Sequence, residues 1–452
     1  MKIEKNKFWI LLYLLIIKIM YMASITWLLP TRYEIWDFGK NVCWDYIFIE
    51  IPVLFVAFLL GFRNYRGDSF LSLISLLICT LAYVPANSGL SLSGQDPIYY
   101  FCVNLYFCFL LAVLSRMQSN EDATEAMNQD SIEVENYFTD RKFMVLRLFM
   151  VCVCLVTIFY VYQLNGLNLH ILTSVMYDTR ADYAAFIAER SGTLLSYFVL
   201  ILMGIITWFL PLYLYIAVVK KKILDAMLAL LTFVALFLME MQKSTLLIIP
   251  VILAVVYCQR KTTRKNICTY IMMFFIVMFA FILGEYVLFG RRSVIFSTFV
   301  PRMFYMSTYL NNIYYDYYSE HSKMWFTRDV LLVSNILSKL VGPFGTGDAV
   351  TTISKSFFDG FIPSPNAGFF AEAYAQIGYL GIIVFPFIIG GIVKTIKKTA
   401  SWYGKGIETV LAVRLVLLML DTQMLAPSRM VGIVLFVWIT YFLKSIDSSL
   451  VR

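Results

Sequence analysis

Twelve stretches of the chain are almost continuously apolar and are separated by polar breaks. They cover about residues 8–29, 45–62, 69–86, 98–114, 143–163, 194–218, 223–239, 244–258, 267–289, 375–393, 407–421 and 430–443. A helix that crosses a bilayer needs roughly 20 mostly apolar residues, because each adds 1.5 Å along the axis. Strands of a membrane barrel alternate at period two over about 10 residues, a pattern these runs do not follow. The pattern predicts an all-α, polytopic integral membrane protein of about 12 transmembrane helices. It forms one membrane domain over residues 1–452. The run at 8–29 exceeds a signal peptide's apolar core and reads as a retained first helix.

Composition agrees with this pattern. Of 452 residues, 60% are apolar and 15% charged, with a mean hydropathy of +0.75. Soluble domains carry about 25% charged residues, so a soluble enzyme or a nucleic-acid-binding domain is excluded. The eight cysteines contain no CxxC pair, and all but Cys43 lie in or beside apolar runs. Two histidines, His170 and His321, are too few for a histidine metal centre, so no metal or other cofactor is expected.

Charge then orients the chain. With the N-terminus inside, the inner segments hold 21 basic residues and the outer ones 13, seven of them in one long loop. Short basic loops stay cytoplasmic, which places both termini in the cytoplasm. The outer side receives a 79-residue loop at 290–368 and a second loop at 164–193. The acidic inner segment 115–142 reads as a solvated linker. No internal repeat is visible, which removes one pointer to a secondary transporter.

Phosphate-binding and hydrolase motifs are absent: there is no GxxxxGK[ST], GxSxG, HExxH or GxGxxG. The outer face instead collects cations, namely Arg180, Lys243, Arg291, Arg292, Arg302 and Arg429, with Arg190 beside them. Planar guanidinium forks suit phosphate oxygens, so this set fits a lipid-linked pyrophosphate; Arg291 and Arg292 can equally anchor a helix end among headgroups. The long loop carries Phe304, Tyr305, Tyr309, Tyr314, Tyr315, Tyr317, Tyr318, Trp325 and Phe326. Tyr305 with Tyr309, and Tyr314 with Tyr318, are spaced i,i+4 and share a helical face. Such a face can lie at the membrane interface, and exposed rings can stack on sugars. Glu50, Glu240, Glu285, Arg414 and Asp421 fall in or beside apolar runs, where each needs a partner or a wet cavity.

Together these features resemble the Wzy-type O-antigen polymerases. Asn366 through Gly381, with the core Glu372-Ala373-Tyr374-Ala375-Gln376-Ile377-Gly378-Tyr379-Leu380-Gly381, is similar to that family's EAYAxFGxxG entry into a late span. Gln242-Lys243-Ser244-Thr245, Tyr177-Asp178-Thr179-Arg180 and Ser428-Arg429-Met430-Val431 resemble its basic turn, arginine-bearing outer loop and late outer arginine. A departure is that residue 191, eleven after Arg180, is Ser rather than the family's spaced Gly.

The resemblance implies a GT-C-like bundle in the bacterial inner membrane with one large periplasmic loop. It implies metal-independent polymerisation of undecaprenyl-pyrophosphate-linked oligosaccharide repeat units into O-antigen or a related polysaccharide. Such units would serve as donor and acceptor, and a chain-length regulator protein is an implied partner. Leaving pyrophosphate calls for cations, and the acceptor hydroxyl for a base. Candidate bases are Glu372, Asp178, Asp182 and His321. Candidate substrate-binding residues are Arg180, Lys243, Arg291, Arg292, Arg302, Arg429, Tyr305 and Tyr309. The alternatives are an O-antigen ligase, which shares the long outer loop, and a lipid-linked oligosaccharide flippase.

Overall fold

The computed structural model describes residues 2–23, 44–67, 69–89, 96–125, 140–165, 194–240, 243–261, 267–289, 306–325, 349–358, 367–420 and 427–448. Among them there are helices and connecting turns but no strand. A helix satisfies its own backbone polar groups, which hydrocarbon cannot do, so uninterrupted apolar runs take this form. In chain order the helices are α1 (Lys2–Ala23), α2 (Ile47–Gly61), α3 (Phe70–Ile78), α4 (Val84–Ser88), α5 (Pro97–Glu125), α6 (Asp140–Asn165), α7 (Leu194–Val219) and α8 (Ile223–Glu240). They continue as α9 (Lys243–Lys261), α10 (Ile267–Phe289), α11 (Met306–Glu320), α12 (Ala349–Phe358), α13 (Phe369–Ile377), α14 (Tyr379–Ala400), α15 (Lys405–Leu420) and α16 (Pro427–Ser448).

Among the described residues, seven helical segments are long and apolar enough to cross a membrane: Asn6–Ala23, Phe70–Ser88, Pro97–Ser119, Lys142–Phe159, Ile201–Val219, Cys268–Phe289 and Tyr379–Tyr403. Three shorter apolar helices lie over Ile47–Gly61, Ile223–Leu238 and Ile248–Tyr257. Their outward faces match a bilayer. Along α10, Met273, Phe274, Val277 and Phe281 form an exposed stripe while Phe275, Phe279 and Ile282 are buried on the opposite side. An apolar stripe of that kind is stable against acyl chains and unfavourable in water. The described residues are those of an all-helical membrane protein.

The chain divides into two compact units, each described by itself. The first comprises Met1–Gln129, Thr263–Val393 and Leu418–Met424. Helices α1 to α5 form its core. The helix α3 continues through a π-helical turn, Cys79–Tyr83, into α4. At its centre the Lys18 ammonium is paired with the Glu50 carboxylate and also donates to Asn87 Oδ1 at 3.0 Å and Ser88 Oγ at 2.9 Å. Asn87 Nδ2 donates onward to Tyr100 Oη at 3.0 Å and Asn104 Oδ1 at 2.9 Å, and Tyr83 Oη donates to Asn104 Oδ1 at 3.1 Å. Lys18 and Glu50 are 1% and 0% exposed, so Glu50 has the partner its position demands.

The second unit comprises Asp130–Thr262, Lys394–Leu417 and Leu425–Arg452. Helix α7 is its hub, flanked by α6, α8, α9 and α16. Gly432 of α16 lies so close to Gly204 that an added Cβ would stand 2.7 Å from the Gly204 carbonyl oxygen. Glycine at both positions lets the two backbones meet. Arg147 grips Asp225 through Nε and Nη2 at 2.6 and 2.5 Å, and Tyr213 Oη donates to the same carboxylate at 2.5 Å.

Candidate functional site

The late glycine-bearing segment folds differently from a single span starting near residue 375. Gly378 adopts φ +62°, ψ −138° and separates α13 from α14. A left-handed φ is the conformation glycine enters without a Cβ clash, so this residue ends α13 and redirects the chain. Gly381 is needed for a second reason: a Cβ there would sit 2.2 Å from the Ala373 carbonyl oxygen. The break leaves carbonyls at the end of α13 without helical donors. Met324 N–H donates to Ala375 O at 2.9 Å and Trp325 N–H to Gln376 O at 2.8 Å. The segment following α11 is thereby stitched to the break, with Trp325 itself at φ +51°.

Around this break, within the first unit, aromatic rings, carboxylates and one cation converge. Asp96 caps α5, its Oδ1 accepting from Ile98 N–H at 2.9 Å, and Tyr315 Oη donates to its Oδ2 at 3.3 Å. Tyr315 has one hydroxyl proton, so Tyr379, 3.2 Å away, donates to Tyr315 in turn. Both bonds are long, which leaves them open to displacement by a stronger donor or acceptor. The Tyr315 ring packs 4.7 Å from Tyr374 and 4.9 Å from Tyr99, and Lys323 Nζ lies 4.8 Å above the Tyr374 ring. Tyr379 and Trp325 remain 52% and 51% exposed, so part of each residue is presented outward.

The electrostatics follow from this crowding. Burial, then the charges of Asp96 and Glu320, hold the Asp316 carboxyl above its ordinary value. Burial lowers the Lys323 ammonium, and burial together with the bond to Tyr379 pushes the Tyr315 phenol well up. His321 stacks on Tyr317 with centroids 4.0 Å apart, and its Nδ1 lies 2.8 Å from the Tyr317 carbonyl oxygen. A carbonyl only accepts, so Nδ1 carries the proton and Nε2 of the neutral ring is the basic nitrogen.

Of the residues singled out from sequence, the described ones fall in both units. Glu372 lies in the first turn of α13, where the helix dipole favours a carboxylate, but it is 1% exposed and lies within electrostatic reach of Tyr106. His321 is exposed just beyond α11, on which Tyr309 is half-buried, and α11 packs against α13. These three therefore share one helix pair. Arg429, half-buried, stands in the first turn of α16, and Lys243 begins α9; both belong to the second unit. Asp178, Arg180, Asp182, Arg291, Arg292, Arg302 and Tyr305 lie outside the described residues.

Of the two tyrosine faces, the one that carries Tyr314 and Tyr318 is internal. Tyr314 and Tyr318 are 0% and 1% exposed, on a helix that packs against α13, α12 and α4. Sequence reasoning missed Asp96, Asp316 and Lys323. Asp96 carried a signal, since Asp before Pro97 is a helix start. Comparison with protein-family models, curated proteins and solved structures found no match. Exposed aromatic faces beside carboxylates and phenol hydroxyls are suited to a ligand bearing many hydroxyl groups on an apolar ring scaffold.

Proposed function

We propose that this protein is a membrane-embedded glycosyltransferase of the Wzy polymerase type, extending a polysaccharide from lipid-pyrophosphate-linked repeat units. The observation that carries the reading is the patch of Tyr379, Tyr315, Asp96, Trp325 and Lys323 built on the glycine break of the EAYAxxGxxG-like segment. In the expected twelve-span topology, with both termini cytoplasmic, the patch lies at the outer ends of its helices, where lipid-linked glycans are joined.

In the reaction, the acceptor hydroxyl oxygen forms a bond to the donor's anomeric carbon as the bond from that carbon to the pyrophosphate oxygen breaks. The acceptor proton passes to a base, and undecaprenyl pyrophosphate leaves. His321, through Nε2, and Asp316, whose raised pKa increases its basicity, are the exposed candidates for that base. Glu372 would act from beneath, by positioning α13. Arg180, Arg291, Arg292, Arg302 and Lys243 are the proposed ligands of the pyrophosphate, and Tyr379 and Trp325 the sugar platform.

The test is glycan chain length in a strain lacking its own polymerase and carrying each variant, with protein level checked by immunoblot. Tyr379→Ala and Arg180→Lys are expected to leave single repeat units attached to core, because a bidentate fork is not replaced by a point charge. Full-length ladders from both variants at normal expression would refute the assignment. Loss of all units from the core in a deletion strain would instead favour the ligase or flippase reading.

A further inference from the structure

We propose that the turn between α7 and α8 is a binding site for the phosphate headgroup of an anionic phospholipid. The turn is Lys220-Lys221-Lys222, and it is closed by backbone bonds from Lys220 N–H to Ile216 O, Lys221 N–H to Val218 O and Lys222 N–H to Ala217 O, at 2.9, 3.2 and 2.9 Å. Lys221 sits at φ +55°, the left-handed position where a helix ordinarily ends on glycine. A lysine there is conformationally disfavoured, so its charge must be of use.

The charges converge. Lys220 and Lys222 each place Nζ 5.9 Å from the centre of the Phe143 ring, and the Arg147 guanidinium carbon lies 5.5 Å from the same centre. Asp225 faces this group with both oxygens already engaged by Arg147 and one also by Tyr213. Four cations, Lys220, Lys221, Lys222 and Arg147, thus stand around the single Asp225 carboxylate, and the excess of positive charge favours an added anion. The C-terminal end of α7 supports the cations through its dipole.

What lies beside the lysines selects the kind of anion. Ile223, Leu224 and Met227 open α8 at 74%, 81% and 61% exposure. Polar headgroup against lysine and acyl chain against Ile223 and Leu224 satisfies both halves of the site at once, as a phospholipid does and an acidic peptide does not. The lysine stems can lie along the apolar turn while their ammonium groups reach the phosphate plane.

The experiment uses the full-length protein in neutral detergent and titrates it with phosphatidylglycerol, read by native mass spectrometry and by the thermal midpoint. Lys220→Gln/Lys222→Gln is expected to weaken phosphatidylglycerol binding about 30-fold, at about fivefold per lysine near a membrane surface. Lys221→Gly is the sharper variant: it raises the thermal midpoint of the lipid-free protein by relieving the backbone, yet weakens lipid binding about fivefold. Lys394→Gln/Lys398→Gln, exposed lysines of the same unit, serves as the charge control. The proposal is overturned if the turn variants bind as the wild type does, or if the control loses as much. Equal binding of phosphatidylcholine, or displacement of the lipid by millimolar inorganic phosphate or by an acidic peptide, would overturn it too. None of these readouts depends on glycan synthesis, so the outcome is separate from that of the polymerase assay.

Discussion

Neutralising one half of the Lys18–Glu50 pair should unfold the first unit far more readily than neutralising both. The two side chains are 1% and 0% exposed, and Lys18 donates to three acceptors, Glu50, Asn87 and Ser88, on two other helices. Lys18→Met keeps the volume but removes the cation facing the Glu50 carboxylate; Glu50→Gln leaves the ammonium facing a neutral amide. Breaking a buried ion pair by removing one partner costs about 3–5 kcal/mol, because the remaining charge has lost its solvation twice over. For a chain of this length, at roughly 2 °C per kcal/mol or less, each single variant should melt about 5–10 °C lower in detergent. In Lys18→Met/Glu50→Gln neither charge is left, so the double variant should recover at least half of that loss. The assay is a double-mutant cycle on purified protein, with thermal unfolding followed by tryptophan fluorescence. Single-variant losses that simply add in the double variant would refute the coupling and show that the pair is held by the surrounding packing.

Asp316→Asn tests the carboxylate crowding at the candidate site. A carboxyl held above its ordinary value of 3.8 binds its proton more tightly in the folded state, so stability is intact below 3.8 and declines as pH rises through the folded value. The Asn variant should therefore melt on the order of 1–2 °C above wild type at pH 7 and at the same temperature as wild type at pH 3.5, a small effect because the site is solvated; a gain at both pH values would contradict the cause. Gly381→Ala should lower folded yield and melt several degrees early, since its Cβ meets the Ala373 carbonyl at 2.2 Å and overpacking costs about 1–3 kcal/mol or more. Gly391→Ala, with open space around the new methyl, is the matched control, and identical melting of the two variants would refute the close approach.

Much of the architecture was legible in one dimension. Each of the twelve apolar runs carries a helix, because hydrocarbon leaves an apolar segment no other way to satisfy its backbone. That Glu50 must have a partner followed from its place in a run, whereas Gly378 and Gly381 were marked only by the resemblance of their segment to EAYAxFGxxG, and the sequence did not say what either glycine does. Which cation reaches Glu50 did not follow, since Lys18 is 32 residues away and only the packing of α1 against its neighbours chooses it. The same holds at the glycine break. Asp96, Tyr315, Lys323 and Tyr379 span almost 300 residues of sequence, and two hydrogen bonds of Tyr315 and the contact of Lys323 with the Tyr374 ring bring them together. The tyrosines of α11 show the limit most clearly. Spacing puts Tyr314 and Tyr318 on one face, but whether that face meets solvent, lipid or protein depends on what lies opposite, and the packing of α11 against its neighbours buries it. Local propensity and apolar length determine what each segment becomes; the apposition of distant segments determines which polar groups are left facing one another, and that is where the candidate chemistry resides.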